Sequence, residues 1–234
     1  MDEQFNQEQQ DVVVQTDELQ EDTIPQKSFH LGREIFEWVY TIAIALIIAF
    51  FIKGFLFDVV KVDGPSMKPT LQHNDRLIIT KLGYKPAQGD IIILDSAYTN
   101  RALYYETVEE KTGKEMNWFN KLLTYSSLPD SLKQRFYVKR IIALPGQTVD
   151  IQDGKVLVDG KVLDEPYISS ETEIIDPTVK YPVTVEEDMV FVMGDNRSNS
   201  KDSRSSELGQ VPIDAILGKS QLRIFPFNTV GITK

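Results

Sequence analysis

The chain has no cysteine and only two histidines, His30 and His73, among its 234 residues. The absence of cysteine excludes disulfide bonds and zinc sites built on thiolates. Two separated histidines offer no metal site, and the sequence contains no glycine-rich nucleotide loop. A Ser-His-Asp protease is also hard to assemble, because His30 precedes the long apolar segment described below. Histidine is therefore a poor candidate for a catalytic base in this chain.

Basic residues are outnumbered, with 25 lysines and arginines against 35 acidic residues. The first 30 residues hold eight acidic side chains and one lysine, which accounts for seven of the ten net negative charges. Such a composition is typical of a solvated, disordered segment, so we expect residues 1–33 to form an acidic tail. The remaining three net negative charges give no indication of a nucleic-acid surface.

One apolar run is long enough to be considered as a membrane span. Trp38 to Ile52 (WVYTIAIALIIAFFI) carries no charge, and the run reaches Phe57 if the Lys53 ammonium extends to the membrane surface. About 20 apolar residues span a bilayer, so we predict a transmembrane anchor over residues 34–57. A cleaved signal peptide is the alternative, but its apolar region is shorter and a small-x-small cleavage site follows closely. Lysine or arginine lies on both sides of the run, so charge does not decide which side is cytoplasmic.

Short β-type segments dominate the chain after the anchor, and we predict a mostly β domain over residues 58–234. The Asp153-Gly154 and Asp159-Gly160 pairs favour tight turns around a hairpin at Lys155–Leu163. Each predicted strand is rich in branched or aromatic residues and bounded by turn formers. These strands are Val59–Val62, Arg76–Thr80, Asp90–Leu94, Phe136–Ala143, Lys155–Val158, Met189–Met193 and Leu222–Phe225.

Residues 98–134 interrupt this β rhythm and are predicted to be an insertion between two strands. Within it, Glu115–Leu123 has apolar residues at helical spacing. Such a helix has two interpretations: its apolar side covers part of the β core, or Trp118 and Phe119 enter a membrane interface. The apolar residues in question are Met116, Trp118, Phe119, Leu122 and Leu123.

Ser66 and Lys139 are the best candidates for chemistry. Ser66 lies between Pro65 and Pro69, which stiffen its loop, although proline-rich strand ends are common in proteins without catalytic function. Lys139 lies in a strand segment whose apolar neighbours would disfavour the charged amine. A desolvated lysine can take the proton of a serine hydroxyl, whereas an edge lysine is the ordinary alternative.

A dense polar loop, Gly194–Arg204, follows the predicted strand Met189–Met193 and completes a set of three motifs. These are Ser66-Met67-x-Pro69-Thr70-Leu71, Lys139-Arg140-Ile141-Ile142-Ala143-Leu144-Pro145-Gly146 and Gly194-Asp195-Asn196-Arg197-x-x-Ser200-x-Asp202-Ser203-Arg204. With the apolar anchor before them, they make the chain similar to the bacterial type I signal peptidases, which are Ser-Lys proteases. The resemblance extends from the anchor to Phe227.

The resemblance implies a role for each motif residue. Ser66 would be the nucleophile, Lys139 the general base, and the Ser66 N–H an oxyanion donor. Some relatives have a serine as second donor where this chain has Gly64, which leaves that donor open. Ser200 matches the position that hydrogen-bonds the lysine. Asp202 and Arg204 match positions that brace the loop, and Asp195 and Arg197 match structural positions.

The resemblance also implies a mostly β catalytic domain on the outer membrane face, with the acidic tail in the cytoplasm. It implies partners but no cofactor or metal: the signal peptides of exported preproteins, bound as an added strand, and the lipid bilayer. Small side chains at the first and third positions before the cut would enter shallow apolar pockets. The residues that match pocket positions are Val60, Val62, Met67, Leu71 and Val138.

Two alternatives stay open at the level of sequence. Self-cleaving repressors also use a Ser-Lys pair on a β fold, but they are soluble and carry a DNA-binding domain. A membrane-anchored β domain that binds without catalysis is the second alternative. In such a domain Ser66 and Lys139 would be far apart.

Overall fold

A computed structural model describes residues 31–233 of the chain. Helix α1 (Leu31–Phe51) continues into a π-helical turn at Ile52–Leu56. The chain divides into two compact units between Ala45 and Leu46, within α1. The predicted tail before residue 31 lies outside the described residues.

The segment Glu34–Phe51 of α1 is long and apolar enough to cross a membrane, and none of it is buried. The helical geometry therefore coincides with most of the apolar run seen in the sequence. Phe57, placed at the end of the predicted anchor, is instead the first residue of strand β1.

An eight-stranded antiparallel sheet dominates the described residues. Its order is β1-β2-β11-β3-β4-β9-β10, and β12 pairs with β11. These strands are β1 (Phe57–Lys61), β2 (Arg76–Thr80), β3 (Ile91–Asp95), β4 (Phe136–Ala143), β9 (Met189–Met193), β10 (Val211–Pro212), β11 (Ile216–Phe225) and β12 (Gly231–Ile232).

A smaller antiparallel sheet has the order β7-β6-β5-β8. Its strands are β5 (Thr148–Gln152), β6 (Lys155–Val158), β7 (Lys161–Val162) and β8 (Val183–Thr184). Both Asp-Gly pairs form the predicted turns, since Asp153, Gly154, Asp159 and Gly160 all have positive φ angles. Asp-Gly suits these turns because glycine has no Cβ to clash at positive φ and the short polar side chain of aspartate can hydrogen-bond locally.

The centre of the large sheet is buried on both faces. Every residue of β3 is buried. Ile91 and Ile93 pack into one apolar cluster with Val138, whereas Ile92 and Leu94 pack into another with Ile141. This alternation follows from the two-residue period of a strand. Strand β4 is buried from Val138 to Ala143, which makes this part of it a rigid element on which to hold a reactive side chain.

The insertion between β3 and β4 forms two helices, α2 (Tyr98–Thr112) and α3 (Trp118–Thr124). The insertion has a small core of its own, made by Tyr105 of α2 with Met116 and Leu128 and partly buried neighbours. Asn117 caps α3 by accepting a hydrogen bond from the Asn120 N–H. None of the α3 residues is buried.

The predicted fold class is confirmed: mostly antiparallel sheets follow an apolar N-terminal helix. The short strands and the longer extent of β11 were not predicted, and α2 was not anticipated as a helix. The division into tail, anchor and catalytic domain stays a prediction.

Candidate active site

Strand β4 brings Lys139 to Ser66. The Lys139 Nζ atom lies 2.9 Å from Ser66 Oγ and 3.1 Å from the Val138 carbonyl oxygen. It also lies 5.2 Å from the centre of the Tyr137 ring. Only 3% of Lys139 is exposed. The two candidates are therefore in direct hydrogen-bond contact within a site that excludes most water.

Burial lowers the pKa of Lys139 from 10.5 to about 8. The cause is desolvation, which penalises the ammonium more than the neutral amine. The carboxylates of Asp202 and Asp195 act in the opposite direction, and Arg204 adds to the lowering. A useful fraction of Lys139 is therefore neutral near physiological pH, as a general base requires.

The Ser66 loop is held by the chain around it. The Lys68 N–H donates to the Pro65 carbonyl, and the Leu71 N–H donates to the Met67 carbonyl. Met67 and Leu71 are 1% exposed and pack against the core of the large sheet. These contacts fix both ends of a tight loop and so position the Ser66 hydroxyl.

Asn196 joins this loop to the polar segment Gly194–Arg204. Its backbone N–H donates to the Ser66 carbonyl at 3.0 Å, and its side-chain amide donates to the Pro65 carbonyl at 3.1 Å. Gly194 lies close by and has no room for a side chain, because an added Cβ would lie 2.6 Å from Ser200 Cβ. The glycine is therefore required by a close approach rather than by its backbone angles.

Buried ion pairs support the same segment. Arg140, adjacent to Lys139 on β4, makes two hydrogen bonds to Asp195 at 2.8 and 2.7 Å. Thr70 of the serine loop also donates to Asp195. Asp195 thus ties the lysine strand to the serine loop, and breaking such a buried pair typically costs about 3–5 kcal/mol.

Asp202 and Arg204 form a second buried pair at 2.9 Å. Asp202 also accepts a hydrogen bond from the Gly194 N–H, and Arg204 donates to the Arg197 carbonyl. Arg197 pairs with Glu165 in turn. This arrangement supports the predicted bracing role of Asp202 and Arg204 and the structural role of Arg197.

Ser200 was expected to hydrogen-bond the lysine. Its Oγ atom is buried and has no hydrogen-bond partner among the described residues. It lies beside Gly194 and the Ser66 carbonyl, as the crowding at Gly194 shows. Its proximity is therefore evident, but the predicted bond to Lys139 is not made in this arrangement.

The backbone at Gly64 bears on the second oxyanion donor. The Gly64 N–H donates to His73 Nδ1 at 3.3 Å, so it is not free to bind an oxyanion. The Ser66 N–H, in contrast, donates no hydrogen bond within residues 31–233. The space at Gly64 is open, since an added Cβ would meet no atom within 4 Å, although φ is +91°.

A cleft of about 210 Å³ opens beside Ser66 and Lys139. Its walls include Val60 and Val138, two of the five predicted pocket residues. The other three are buried in the apolar cluster that also contains Val138: Val62, Met67 and Leu71. The cleft walls also include side chains that the sequence did not single out: Phe136, Tyr137, Asn199 and Lys201.

The cleft follows an unpaired strand edge. Strand β9 pairs with β4 only from Arg140 onward, whereas β3 covers the other edge from Phe136. In the described part of the chain, no strand covers the edge of β4 that carries Phe136 to Lys139 on the β9 side. This edge can accept the backbone of an extended peptide.

Comparisons with known proteins agree with this picture. A model of the family described as "Signal peptidase, peptidase S26" matches residues 35–225. The signal peptidase I of Bacillus licheniformis is 35% identical over 89% of this chain and 98% of its own. Signal peptidase I T of Bacillus subtilis is 35% identical over 85% of this chain and 89% of its own.

A solved signal peptidase I from Enterococcus faecalis is 26% identical, with a TM-score of 0.37, over 58% of this chain and 97% of its own. The β fold and the curated relatives define the class, which is that of a peptidase. The chain belongs to the signal peptidase family, peptidase S26.

Proposed function

We propose that the chain is a membrane-anchored endopeptidase that removes signal peptides from exported preproteins. Ser66 is the nucleophile and Lys139 the general base. The observation that carries this proposal is the 2.9 Å contact between Ser66 Oγ and Lys139 Nζ, made by a lysine whose pKa is lowered to about 8. An ordinary surface lysine would be protonated and unable to accept the serine proton.

The reaction begins when neutral Lys139 takes the hydroxyl proton as Ser66 Oγ attacks the scissile carbonyl. The unpaired Ser66 N–H stabilises the resulting oxyanion, a contribution of typically about 3 kcal/mol per donor. The lysine ammonium then gives its proton to the departing amine, which leaves an ester on Ser66. Lys139 next takes a proton from a water molecule as that water attacks the ester. The lysine ammonium returns the proton to Ser66 Oγ as it leaves, which frees the signal peptide and restores the enzyme.

The substrate binds as an extended strand along the free edge of β4, between that edge and the segment from Val60 to Ser66. Alternate side chains of a strand point to the same side, so the first and third residues before the cut face the apolar wall together. Val60 and Val138 line that wall, and Val62, Met67 and Leu71 pack behind it. Small side chains at these two substrate positions fit such a shallow surface.

The supporting residues act through Ser66 and Lys139. Asp202 and Arg204 brace the segment that contacts the serine loop, and the charge of Asp202 also raises the pKa of Lys139. Ser200 becomes a partner of the lysine when its hydroxyl rotates toward Nζ. Gly64 leaves open space where a second oxyanion donor would otherwise stand.

The apolar helix and the nature of the substrate support the proposed membrane arrangement. Residues 1–33 form a cytoplasmic tail, 34–57 the anchor, and 58–234 the catalytic domain outside. Signal peptides emerge from the membrane on that outer side, which is where the site must lie to cut them. Protease added to protoplasts should therefore digest the chain after Phe57 and spare the tail before Arg33. The reverse pattern would remove this assignment.

One assay tests the reaction directly. The detergent-solubilised chain is incubated with a precursor that carries an Ala-x-Ala site, and mass spectrometry identifies the new N-terminus. Cleavage after the second alanine by the wild type, absent in Ser66→Ala, is expected. A serine-reactive acylating probe should label the wild type only. An unlabelled, inactive wild type would instead favour a β domain that binds without catalysis.

A further inference from the structure

Helix α3 in the insertion exposes an unusually apolar face. Trp118, Phe119, Leu122 and Leu123 are 76%, 51%, 64% and 62% exposed, respectively. Residues spaced by three or four positions lie close together on a helix, and the pairs 118/122, 119/122 and 119/123 have this spacing, so these four side chains form one face. We call it the α3 face. The sequence left open whether these residues cover the β core, and their exposure shows that they do not.

The α3 face is not needed to hold the insertion together. That task falls to the separate core of Tyr105, Met116 and Leu128. Met116 is 7% exposed and immediately precedes the α3 cap, so it attaches the helix while leaving the face outward. Large apolar side chains that face water without a packing role mark a surface that binds something else.

The charges of the insertion do not oppose contact with a lipid surface. The protein as a whole carries a net charge of −10, yet residues 98–134 are net neutral, with five basic and five acidic side chains. Lys121 lies within α3 and is exposed. Helices that lie in the headgroup region of membranes typically carry tryptophan and phenylalanine on one face and lysine on the other.

The size of the face argues against a second copy of the chain. A seven-residue helix is about 10 Å long. Four side chains on such a helix offer much less than the ~800 Å² that each partner gives to a standard protein interface. A bilayer sets no such requirement when the chain is already tethered to it by the Glu34–Phe51 helix. Tethering converts a second, weak contact into an intramolecular one.

The insertion also borders a hollow that adjoins the cleft. A hollow beside the cleft is lined by Ala97 and Asn100 at the start of the insertion and by Ser131 near its end. Tyr137 and Lys201 line both this hollow and the cleft that contains Ser66. An attachment made by the insertion would therefore restrain the surface next to the active site.

We propose that the α3 face inserts into the headgroup region of the lipid bilayer and holds the catalytic domain against it. This proposal rests on the proposed function only for the advantage of the membrane contact, which is that the active site reaches membrane-embedded substrate. The anchor supplies proximity, and the α3 face supplies orientation. Because a transmembrane helix alone keeps the chain at the bilayer, the α3 face needs to contribute only a weak second contact.

Tryptophan fluorescence tests the contact without reference to activity. The chain has two tryptophans, and Trp38 lies in the apolar helix, so Trp38→Phe leaves Trp118 as the only emitter. This full-length variant is reconstituted into vesicles of phosphatidylglycerol and phosphatidylcholine with brominated acyl chains. Quenching and a blue shift of Trp118 emission are expected, because insertion brings the indole into contact with the brominated lipid. The vesicles hold no other protein that could bury Trp118. Emission typical of water-exposed tryptophan, without quenching, would overturn the proposal.

Cleavage assays then test the consequence. The double variant Trp118→Ser/Phe119→Ser should cleave a vesicle-embedded precursor about tenfold more slowly, as expected for the loss of partial apolar burial. It should cleave a short soluble peptide at the wild-type rate and keep the wild-type melting temperature. The matched control is Val162→Ser/Ile174→Ser, which removes two exposed apolar side chains elsewhere and should leave both rates unchanged.

The outcomes separate this proposal from the proposed function. Equal losses on both substrates, or a large fall in melting temperature, would show that the α3 face serves folding and would overturn the proposal. An equal loss in the control variant would do the same. Failure of the wild type to cleave the soluble peptide would instead refute the peptidase assignment, while the fluorescence result would still report on lipid contact.

Discussion

Lys139 Nζ lies within hydrogen-bond distance of Ser66 Oγ although the two residues are 73 positions apart in the chain. The contact depends on three segments that meet: strand β4, the serine loop and the polar segment Gly194–Arg204. Asn196 binds the serine loop directly, and Asp195 binds both the loop and β4.

The first prediction concerns the base. Lys139→Ala and Ser66→Ala should each abolish precursor cleavage, and Lys139→Arg should fail as well. Arginine keeps the positive charge and similar length, but its guanidinium does not lose a proton at working pH. His73→Ala should retain most activity, because the ring contacts Gly64 and Asp63 rather than Ser66. Initial rates on a precursor decide the matter, and substantial cleavage by Lys139→Arg would contradict the lysine base.

The second prediction is the pH profile. Lys139 acts as a base only when neutral, so kcat/KM should rise with pH and level off above a midpoint near 8, the lowered pKa. The direction follows from desolvation, which favours the neutral amine. Measurement across mildly acidic to alkaline pH, with and without a metal chelator, tests this. A flat profile, or activity that returns only with zinc, would be incompatible with it.

The third prediction uses the carboxylates that oppose the shift. Asp202 raises the pKa of Lys139, so Asp202→Asn should move the midpoint of the pH profile to lower pH. The melting temperature of Asp202→Asn should also be lower than that of the wild type, because Arg204 loses its buried partner. Glu165→Gln is the matched control, since it removes the partner of Arg197 but is not among the causes of the Lys139 shift. It should destabilise the protein without moving the midpoint.

The fourth prediction is that the reactive lysine destabilises the fold. Lys139→Met should raise the free energy of unfolding at neutral pH by roughly 1–3 kcal/mol, since the buried amine carries a desolvation penalty. Between pH 8 and 10.5, Lys139 is protonated in the unfolded chain but neutral in the folded protein. The free energy of unfolding of the wild type therefore rises with pH across this range. The advantage of Lys139→Met should therefore shrink across this window. Denaturant titrations at several pH values would measure it, and a destabilised variant at neutral pH would refute the penalty.

The fifth prediction concerns the oxyanion. Gly64→Ala and Gly64→Ser both add a Cβ to a residue whose φ is +91°, so the two variants should have the same backbone strain. Only serine adds a hydroxyl next to the open space beside Ser66. We expect Gly64→Ser to turn over at least about tenfold faster than Gly64→Ala, since an oxyanion donor is worth several kcal/mol. Equal kcat values for the two variants would mean that no donor can act from this position.

The pattern of residues was sufficient for much of the fold. Strands β2, β4, β6 and β9 have the boundaries that their branched residues and flanking turn formers predict. Helix α2 was missed because it lacks an apolar stripe, and Tyr105 is the residue in it that is buried. Strands β8, β10 and β12 have two residues each, too few for any periodic pattern, and exist through their pairing partners.

The site was predictable where chemistry limits the choice of residue. One chain contains few serines on stiff loops and few lysines among apolar neighbours, so Ser66 and Lys139 could be proposed together. The contacts that hold them could not, because Arg140 and Asp195 are 55 positions apart and Thr70 and Asp195 are 125 apart. The free N–H of Ser66 and the engaged N–H of Gly64 depend on backbone geometry that no residue pattern encodes.

The half-paired strand β4 has a consequence for accuracy. In the proposed mechanism the same strand carries the base and offers the edge to which the substrate adds, so the register of the added strand would set which peptide bond meets Ser66. A slip by one residue would turn every small side chain away from the apolar wall, whereas a slip by two would restore the pattern. Errors of processing should therefore occur two residues from the correct bond, and their frequency should depend on whether a second pair of small residues lies there.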